Sequence, residues 1–303
     1  MIGTLQIKPT LNWVHILNPT DEDFQALIDD YKFHTLDIED CKSKKQRPKI
    51  DIYDDYYFII LHFPSFDKAN KFLIYKEVRI FWGKNFVITV GKSHWIVRKL
   101  FKEASEDEQL REELLSGSSD KLLYHILDHL LTETYAIVTR IENEVEYINR
   151  DLFSKRAQAA IERISVCRKN IILMNTIIKP QLRVFNKFES GDVKGFEEEM
   201  EEYWGNILDY YHKIWDLIED NGELIEGLSK TFDSMQTNRI NEIMKILTFF
   251  SSILLPLTFL TGLYGMNINL PLQDDPNSFY IVTGIMVLIV IALLFYFRRR
   301  KWL

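Results

Sequence analysis

From Ile246 to Met266 the chain reads ILTFFSSILLPLTFLTGLYGM, and from Phe279 to Phe297 it reads FYIVTGIMVLIVIALLFYF, with no charged residue in either run. At about 1.5 Å of rise per residue, each makes a helix roughly 28–32 Å long, which matches the hydrocarbon core of a bilayer. Core helices of globular proteins rarely run so far without a charge, so both runs are read as membrane spans. Arg298, Arg299, Arg300 and Lys301 follow the second span, and Lys230, Arg239 and Lys245 precede the first. The connection Asn267–Ser278 has no Lys or Arg and carries Asp274 and Asp275. The positive-inside rule then puts both termini in the cytoplasm and the short loop outside. Tyr264, Tyr280, Tyr296 and Trp302 suit the interfacial belts. The expected location is a cell (inner or plasma) membrane, with about four fifths of the chain cytosolic.

The composition of the whole chain fits that division. Its 303 residues hold 44 Asp+Glu against 37 Lys+Arg, a net charge of −7, with 47% apolar and 27% charged residues. Such a chain is neither disordered nor collagen-like. Its acidic balance argues against a nucleic-acid partner, which needs clustered Lys and Arg. Cys41 and Cys167 are read as small buried apolar residues in a reducing compartment. Met1–Pro19 lacks a basic region followed by an apolar core, so no cleavable signal peptide is expected there.

Ahead of the spans, residues 1–118 mix strand and helix patterns. Asp51–Phe63 (DIYDDYYFIILHF) and Val78–Val90 (VRIFWGKNFVITV) are rich in aromatic and β-branched residues. Gly83-Lys84-Asn85 makes the second a hairpin. Asp21–Lys32 and Trp95–Glu103 read as short helices, and the SGSSD loop Ser116–Asp120 caps the next one. Residues 119–245 then read as helices: one carrying Leu122, Leu123, Ile126, Leu130, Ile137, Ile141, Val145 and Ile148 on an apolar face, and a second ending near Phe188. Gly191–Gly195 breaks the pattern, and a third helix, starting near Phe196, meets nothing that stops it before Pro256. It is expected to run unbroken from the cytosol into the first span, residues 246–267. Residues 268–278 form the outer loop, 279–297 the second span and 298–303 a basic tail. The fold class is an α+β cytosolic domain followed by long helices and two C-terminal transmembrane helices.

A stripe divides the first span. At about 100° per residue, Asn241, Met244, Thr248, Ser251, Leu255, Thr258 and Gly262 fall on one face, and bulky Ile246, Phe250, Ile253, Leu257 and Leu260 fall opposite. Lipid is expected on the bulky face. The small and hydroxylated face must meet protein or water. By itself that stripe favours a helix–helix interface over a pore lining. Two spans cannot enclose a channel, so a pore needs a symmetric ring of copies.

Tyr264-Gly265-Met266-Asn267 at the end of the span, with upstream Asn241-Glu242-Ile243-Met244-Lys245 and Leu255-Pro256-Leu257-Thr258, resembles the CorA family of divalent-cation transporters. The second span and basic tail match the family's ending. The resemblance implies a homopentameric funnel, with five copies of the long helix around a pore. It also implies transport of Mg2+, with Co2+ and Ni2+ often carried too, or of Zn2+ in the ZntB branch. In that setting the stripe reads as pore lining. Mg2+ loses water reluctantly, so a ring of Asn267 amide oxygens and Gly265 carbonyls would receive the ion with its hydration shell kept. Asn267 is the expected metal-facing residue, with Tyr264, Gly265 and Met266 completing the mouth. A carboxylate ring there would hold the ion too tightly to conduct. Gly265 is expected to let the backbone turn. Met244 and Leu255 would be hydrophobic constrictions, and Asp274 and Asp275 would concentrate cations outside.

The chain departs from the family pattern after the motif, where Ile268-Asn269-Leu270-Pro271-Leu272-Gln273 stands in place of Met-Pro-Glu-Leu. Counted back from Asn267, the family's acidic pore-end position falls on Lys230 with Asp233 nearby, and the inter-subunit sensing position falls on Asn206. Asp233, Asp209 and Asn206 are therefore the candidates for the cytosolic pore end or sensing. Between Glu189 and Glu226 there are 13 acidic and two basic residues. They read as a solvated helix face, with a cation-sensing surface as the alternative. His125 and His129 lack the Glu of a zinc-protease pattern and read as structural. No nucleophile elbow, phosphate-binding glycine loop or paired CxxC appears, so no enzyme is expected.

The leading expectation is a channel-like transporter that passes hydrated Mg2+ down its electrochemical gradient. Mg2+ is then substrate and regulator, with no permanently bound cofactor. The expected partners are four more copies, membrane lipid and divalent cations. A proton-coupled zinc carrier and a membrane-anchored cytosolic binding module are the alternatives.

Overall fold

The computed structural model describes residues 2–8, 11–67, 72–91, 94–115, 117–154, 157–266, 271 and 276–300. They divide into two compact units, Met1–Ser229 and Lys230–Leu303. The first is built on a six-stranded sheet. Strands β1 (Ile2–Lys8) and β2 (Leu11–Ile16) lead into helices α1 (Asp21–Tyr31) and α2 (Thr35–Lys42). Strands β3 (Lys49–Ile52), β4 (Tyr56–Asp67), β5 (Phe72–Gly83) and β6 (Phe86–Val90) follow. The spatial order is β1-β2-β6-β5-β4-β3, antiparallel throughout except where β2 lies parallel to β6 with Trp13 opposite Val87.

The aromatic run 51–63 is two strands rather than one. The amide of Tyr53 donates to the Tyr56 carbonyl at 3.0 Å and folds the chain back at Asp54-Asp55, which have no place in a strand interior. The second run is a hairpin, with Gly83 paired to Phe86 across Lys84-Asn85. Strands β1 and β2 and helix α2 carry no clear period and were not expected from the sequence.

Side chains alternate across the sheet, and each face collects its own core. On the α1/α2 side, Phe81 stacks on Phe33 at 4.1 Å among Tyr56, Phe58 and Ile88. The next residue, Trp82, points to the opposite face and meets Tyr57, Phe188, Phe196 and Trp204. That face is covered by helices. They are α3 (Trp95–Glu106), α4 (Glu108–Leu115), α5 (Ser119–Leu152), α6 (Ala157–Glu189) and the start of α7 (Glu201–Tyr264).

The helix starts follow capping chemistry. Thr20 and Asp23 form a reciprocal capping box on α1, and Ser118 Oγ accepts from the Lys121 amide at the start of α5. Between α6 and α7, Gly191 and Gly195 take φ of 77° and 69°, values glycine adopts without strain. Gly195 is also a close approach, because a Cβ there would lie 2.9 Å from Asp120 Oδ2. Asp120 is fully buried and accepts from Trp82 Nε1 at 3.0 Å and from the amides of Phe196 and Glu197 at 2.8 Å each. Burial pushes its carboxyl up while those three donors pull it down. Because its amide is committed to Asp120, Phe196 stays outside the helix, and α7 begins at Glu201 after a 3₁₀ turn, Glu198–Met200. Within the first unit, α7 buries Trp204, Ile207, Tyr211, Ile214, Ile218, Asn221 and Ile225 in 3-4 alternation, the spacing of a helix packed lengthwise.

The second unit holds the rest of α7 and helix α8 (Ser278–Arg299). α7 is helical through Gly205, Gly222, Gly227 and Pro256 without interruption, as its lack of stop signals implied.

Candidate functional site

The stripe of α7 runs over 22 residues from Asn241 to Gly262, about 32 Å along the axis. All seven of its residues are exposed, including apolar Met244 at 53% and Leu255 at 71%. The partly covered face is another one, made by Phe249, Ser252, Ile253, Pro256, Leu257, Leu260, Leu263 and Tyr264. On that side Phe249 meets Phe297 of α8 with ring centroids 5.3 Å apart, and Phe297 is buried. Ile253, Leu257 and Leu260, expected to face lipid, are partly covered on the side where Phe249 meets Phe297. Ile246 and Phe250 remain exposed.

The stripe's hydroxyls have a defined polarity. Thr248 Oγ1 donates to the Met244 carbonyl at 2.7 Å and Thr258 Oγ1 to the Leu254 carbonyl at 2.9 Å. Thr261 Oγ1 does the same to Thr258 at 3.0 Å. With its one proton turned back into the helix, each threonine presents only oxygen lone pairs to the outside. Pro256 has no amide proton, so the Ser252 carbonyl lacks its usual helical partner. Thr261 was not among the residues singled out from the sequence, although a hydroxyl in an uncharged helix was visible there.

At the end of α7, the Gly265 amide donates to Thr261 O at 3.0 Å and that of Met266 to Leu263 O at 3.2 Å, while Tyr264 Oη donates to Pro271 O at 3.4 Å. Gly265 does not take a positive φ, so its value is not the freedom to turn. A Cβ there would stand 3.1 Å from Thr261 O, and the close approach is what favours glycine. Asn267, Asp274, Asp275 and Lys301 lie outside the described residues. Arg298 and Arg299 sit in the last turn of α8, and Arg300 caps it with its amide 3.1 Å from Tyr296 O.

In the first unit Asp209 is exposed, and Asn206 Nδ2 donates to Tyr124 Oη at 2.8 Å. In the second, Asp233 is exposed and its carbonyl accepts from Thr237. Among the described residues no three His, Cys, Asp or Glu side chains converge in a metal-binding group. His129 Nδ1 lies 2.8 Å from its own helix carbonyl at His125, the structural role read from the sequence. Cys41 and Cys167 are buried free thiols, each pushed up to about 12 by burial. Two helices, Glu198–Tyr264 and Ser278–Arg299, are long and apolar enough to cross a membrane.

A protein-family model described as "CorA-like Mg2+ transporter protein" matches residues 9–299. The chain belongs to the CorA family. That family is one of transporters, not enzymes. YfjQ of Bacillus subtilis is 30% identical over 291 residues, covering 96% of this chain and 89% of that protein. The cobalt/magnesium transport protein CorA of Thermotoga maritima is 26% identical over 298 residues, covering 97% and 84%. The solved CorA magnesium transporter of Methanocaldococcus jannaschii superposes with a TM-score of 0.80 at 22% identity, covering 99% of this chain and 94% of that one. This likeness establishes a CorA-like fold, an α+β domain joined by a long helix to two apolar C-terminal helices.

Proposed function

We propose that this chain passes hydrated divalent cations, Mg2+ foremost, across a membrane through a pore lined by the stripe face of α7 in a homopentameric ring. The carrying observation is that all seven stripe positions are exposed while α8 packs against a different side of the helix. A face that is polar at intervals and uncovered in one chain finds a partner or water in an assembly. Co2+ is the second candidate ion, from the name of the Thermotoga relative.

Threonines that offer lone pairs alone suit such an ion. The outer surface of hydrated Mg2+ is water O–H, which donates, so acceptors can guide it without replacing its inner waters. Met244 and Leu255 interrupt that line with apolar rings able to exclude water. Asn267, at the outer end, receives the ion through its amide oxygen, helped by Asp274 and Asp275. Both termini face the cytoplasm, where Arg298–Lys301 anchor α8 at the anionic surface. Asp233 sits towards the cytosolic end of the pore, and Asn206 and Asp209 sit where copies meet and sense Mg2+.

Mg2+ uptake into proteoliposomes, read with an internal dye, tests this. Saturable uptake, inhibited by Co2+ and abolished by Asn267→Ala in a protein that still assembles, is expected. Unaltered uptake in the variant removes the Asn ring from the mechanism. Zn2+ uptake that requires a proton gradient indicates the zinc-carrier reading instead.

A further inference from the structure

On a chain of net charge −7, positive charge gathers at one groove of the first unit. Lys42–Lys49 reads KSKKQRPK, five cations in eight residues, and connects α2 to β3. Opposite it runs α6, where Lys179, Arg183 and Lys187 recur every four residues and share a helix face. Between them lies a groove of 1120 Å³ lined by Lys45, Arg47, Lys49, Lys179, Arg183 and Lys187, with Asp51 its one carboxylate, a balance of 6 − 1 = +5.

Of the six groove cations only Lys49 is paired with carboxylates among the described residues, and the other nearby acids hold the walls in place. Glu77 accepts from the Gln46 amide at 3.0 Å and from Arg79 at 2.6 Å, and Asp40 accepts from Gln46 Nε2 at 2.7 Å, so the basic segment is held in place. Asp40 and Asp51 pair with Lys49. The α6 wall is fixed to the sheet by Gln181, which accepts from the His62 amide at 2.9 Å and donates to the His62 carbonyl at 2.8 Å. Arg47, Arg183 and Lys187 make no ion pair among the described residues. At the floor, His62 Nε2 and Asn175 Oδ1 are buried without a hydrogen-bond partner, the former 3.8 Å from Glu77 Oε1. His62 Nε2 can donate to an anion in its N–H tautomer, whereas Asn175 Oδ1 is an acceptor and offers a phosphate oxygen nothing.

We propose that this groove binds a soluble anion carrying two or more phosphate groups. Two guanidinium forks match phosphate oxygens in geometry. Five net charges and this volume exceed what one phosphate needs, whereas the acidic remainder of the chain disfavours a long nucleic acid. Inorganic and nucleoside polyphosphates share the chemistry.

The test is calorimetric titration of the whole chain in neutral phosphatidylcholine nanodiscs, in EDTA, with triphosphate, ATP and orthophosphate. Triphosphate is expected to saturate one site per chain, at least tenfold more tightly than orthophosphate, and to weaken with added KCl. ATP binding as tightly as triphosphate means that phosphates alone are read. Tighter ATP adds a base contact, and both support the site. The double variant Arg183→Glu/Lys187→Glu is expected to weaken binding at least tenfold. Lys99→Glu/Lys102→Glu, the same charge change on α3, is expected to alter it less than twofold. No saturable triphosphate binding, equal affinity for orthophosphate, or equal losses in the two variants overturns the proposal. So does adsorption to phosphatidylglycerol vesicles that triphosphate fails to displace.

Discussion

Replacing Asp120 by alanine removes the acceptor that fastens the segment before α7 to the start of α5. Four donors lose their partner at once, the Trp82 indole at 3.0 Å, the Phe196 and Glu197 amides at 2.8 Å and the Ser119 hydroxyl at 3.5 Å. Hydrogen bonds to a charged group are worth about 1.5–3 kcal/mol each, but the alanine variant also sheds the desolvation of a buried carboxylate. Buried donors left without an acceptor cost about 1–3 kcal/mol each, so after the desolvation saved the net loss is expected at about 3–5 kcal/mol. Asp120→Asn keeps the shape yet turns an NH2 towards at least one donor, so it is expected to lose about 2–4 kcal/mol, nearly as much. Urea unfolding of the purified chain in detergent reads both variants, followed by the fluorescence of Trp82 and Trp204. If either variant unfolds within about 1 kcal/mol of wild type, the carboxylate is not the anchor and the reasoning fails.

Two further outcomes follow from particular side chains. Burial holds His15 and His94 down to about 4, against 6.5 in an unfolded chain. His94 Nε2 lies 2.9 Å from Pro64 O, so it is the donor, and Nδ1 accepts from the Ile96 amide at 3.3 Å. Protonation at Nδ1 therefore breaks a helix cap. The unfolded state binds these protons first, so stability present above pH 6.5 is lost as pH falls towards 4, by about 3 kcal/mol per histidine. Unfolding free energy measured across that window is expected to fall, and a flat profile contradicts the assignment. Thr258→Val keeps the shape of the stripe and removes its acceptor. Mg2+ uptake is expected to fall about threefold or more with assembly unchanged, and uptake equal to wild type dismisses the hydroxyl as a guide.

Much of this architecture is legible in the residues that carry strong patterns. The uncharged runs at 246–266 and 279–297 announce α7 and α8, and the absence of a stop before Pro256 announces their long approach. The glycines at 191 and 195 mark the break ahead of α7. What the sequence hid depends on tertiary partners. β1 and β2 have no clean alternation, because β2 is buried on both sides and takes its direction from β6. Helical arithmetic separated the stripe from the bulky side but could not say which flank α8 would cover, since that is decided by contacts such as Phe249 with Phe297. The basic run Lys42–Lys49 was visible, yet its facing partner lies more than 130 residues away on α6.

The central claim is that water reaches the polar positions of the stripe. Single cysteines from position 241 to 262, labelled in the reconstituted protein with a membrane-impermeant thiol reagent, test it most directly. Cys41 and Cys167 are buried, with thiols pushed up to about 12, so background labelling is low. Labelling at Asn241, Thr248, Ser251 and Thr258, with protection at Phe250, Ile253 and Leu257, is the predicted pattern. Labelling that ignores the helical period, or falls on the bulky face while sparing the stripe, contradicts the account.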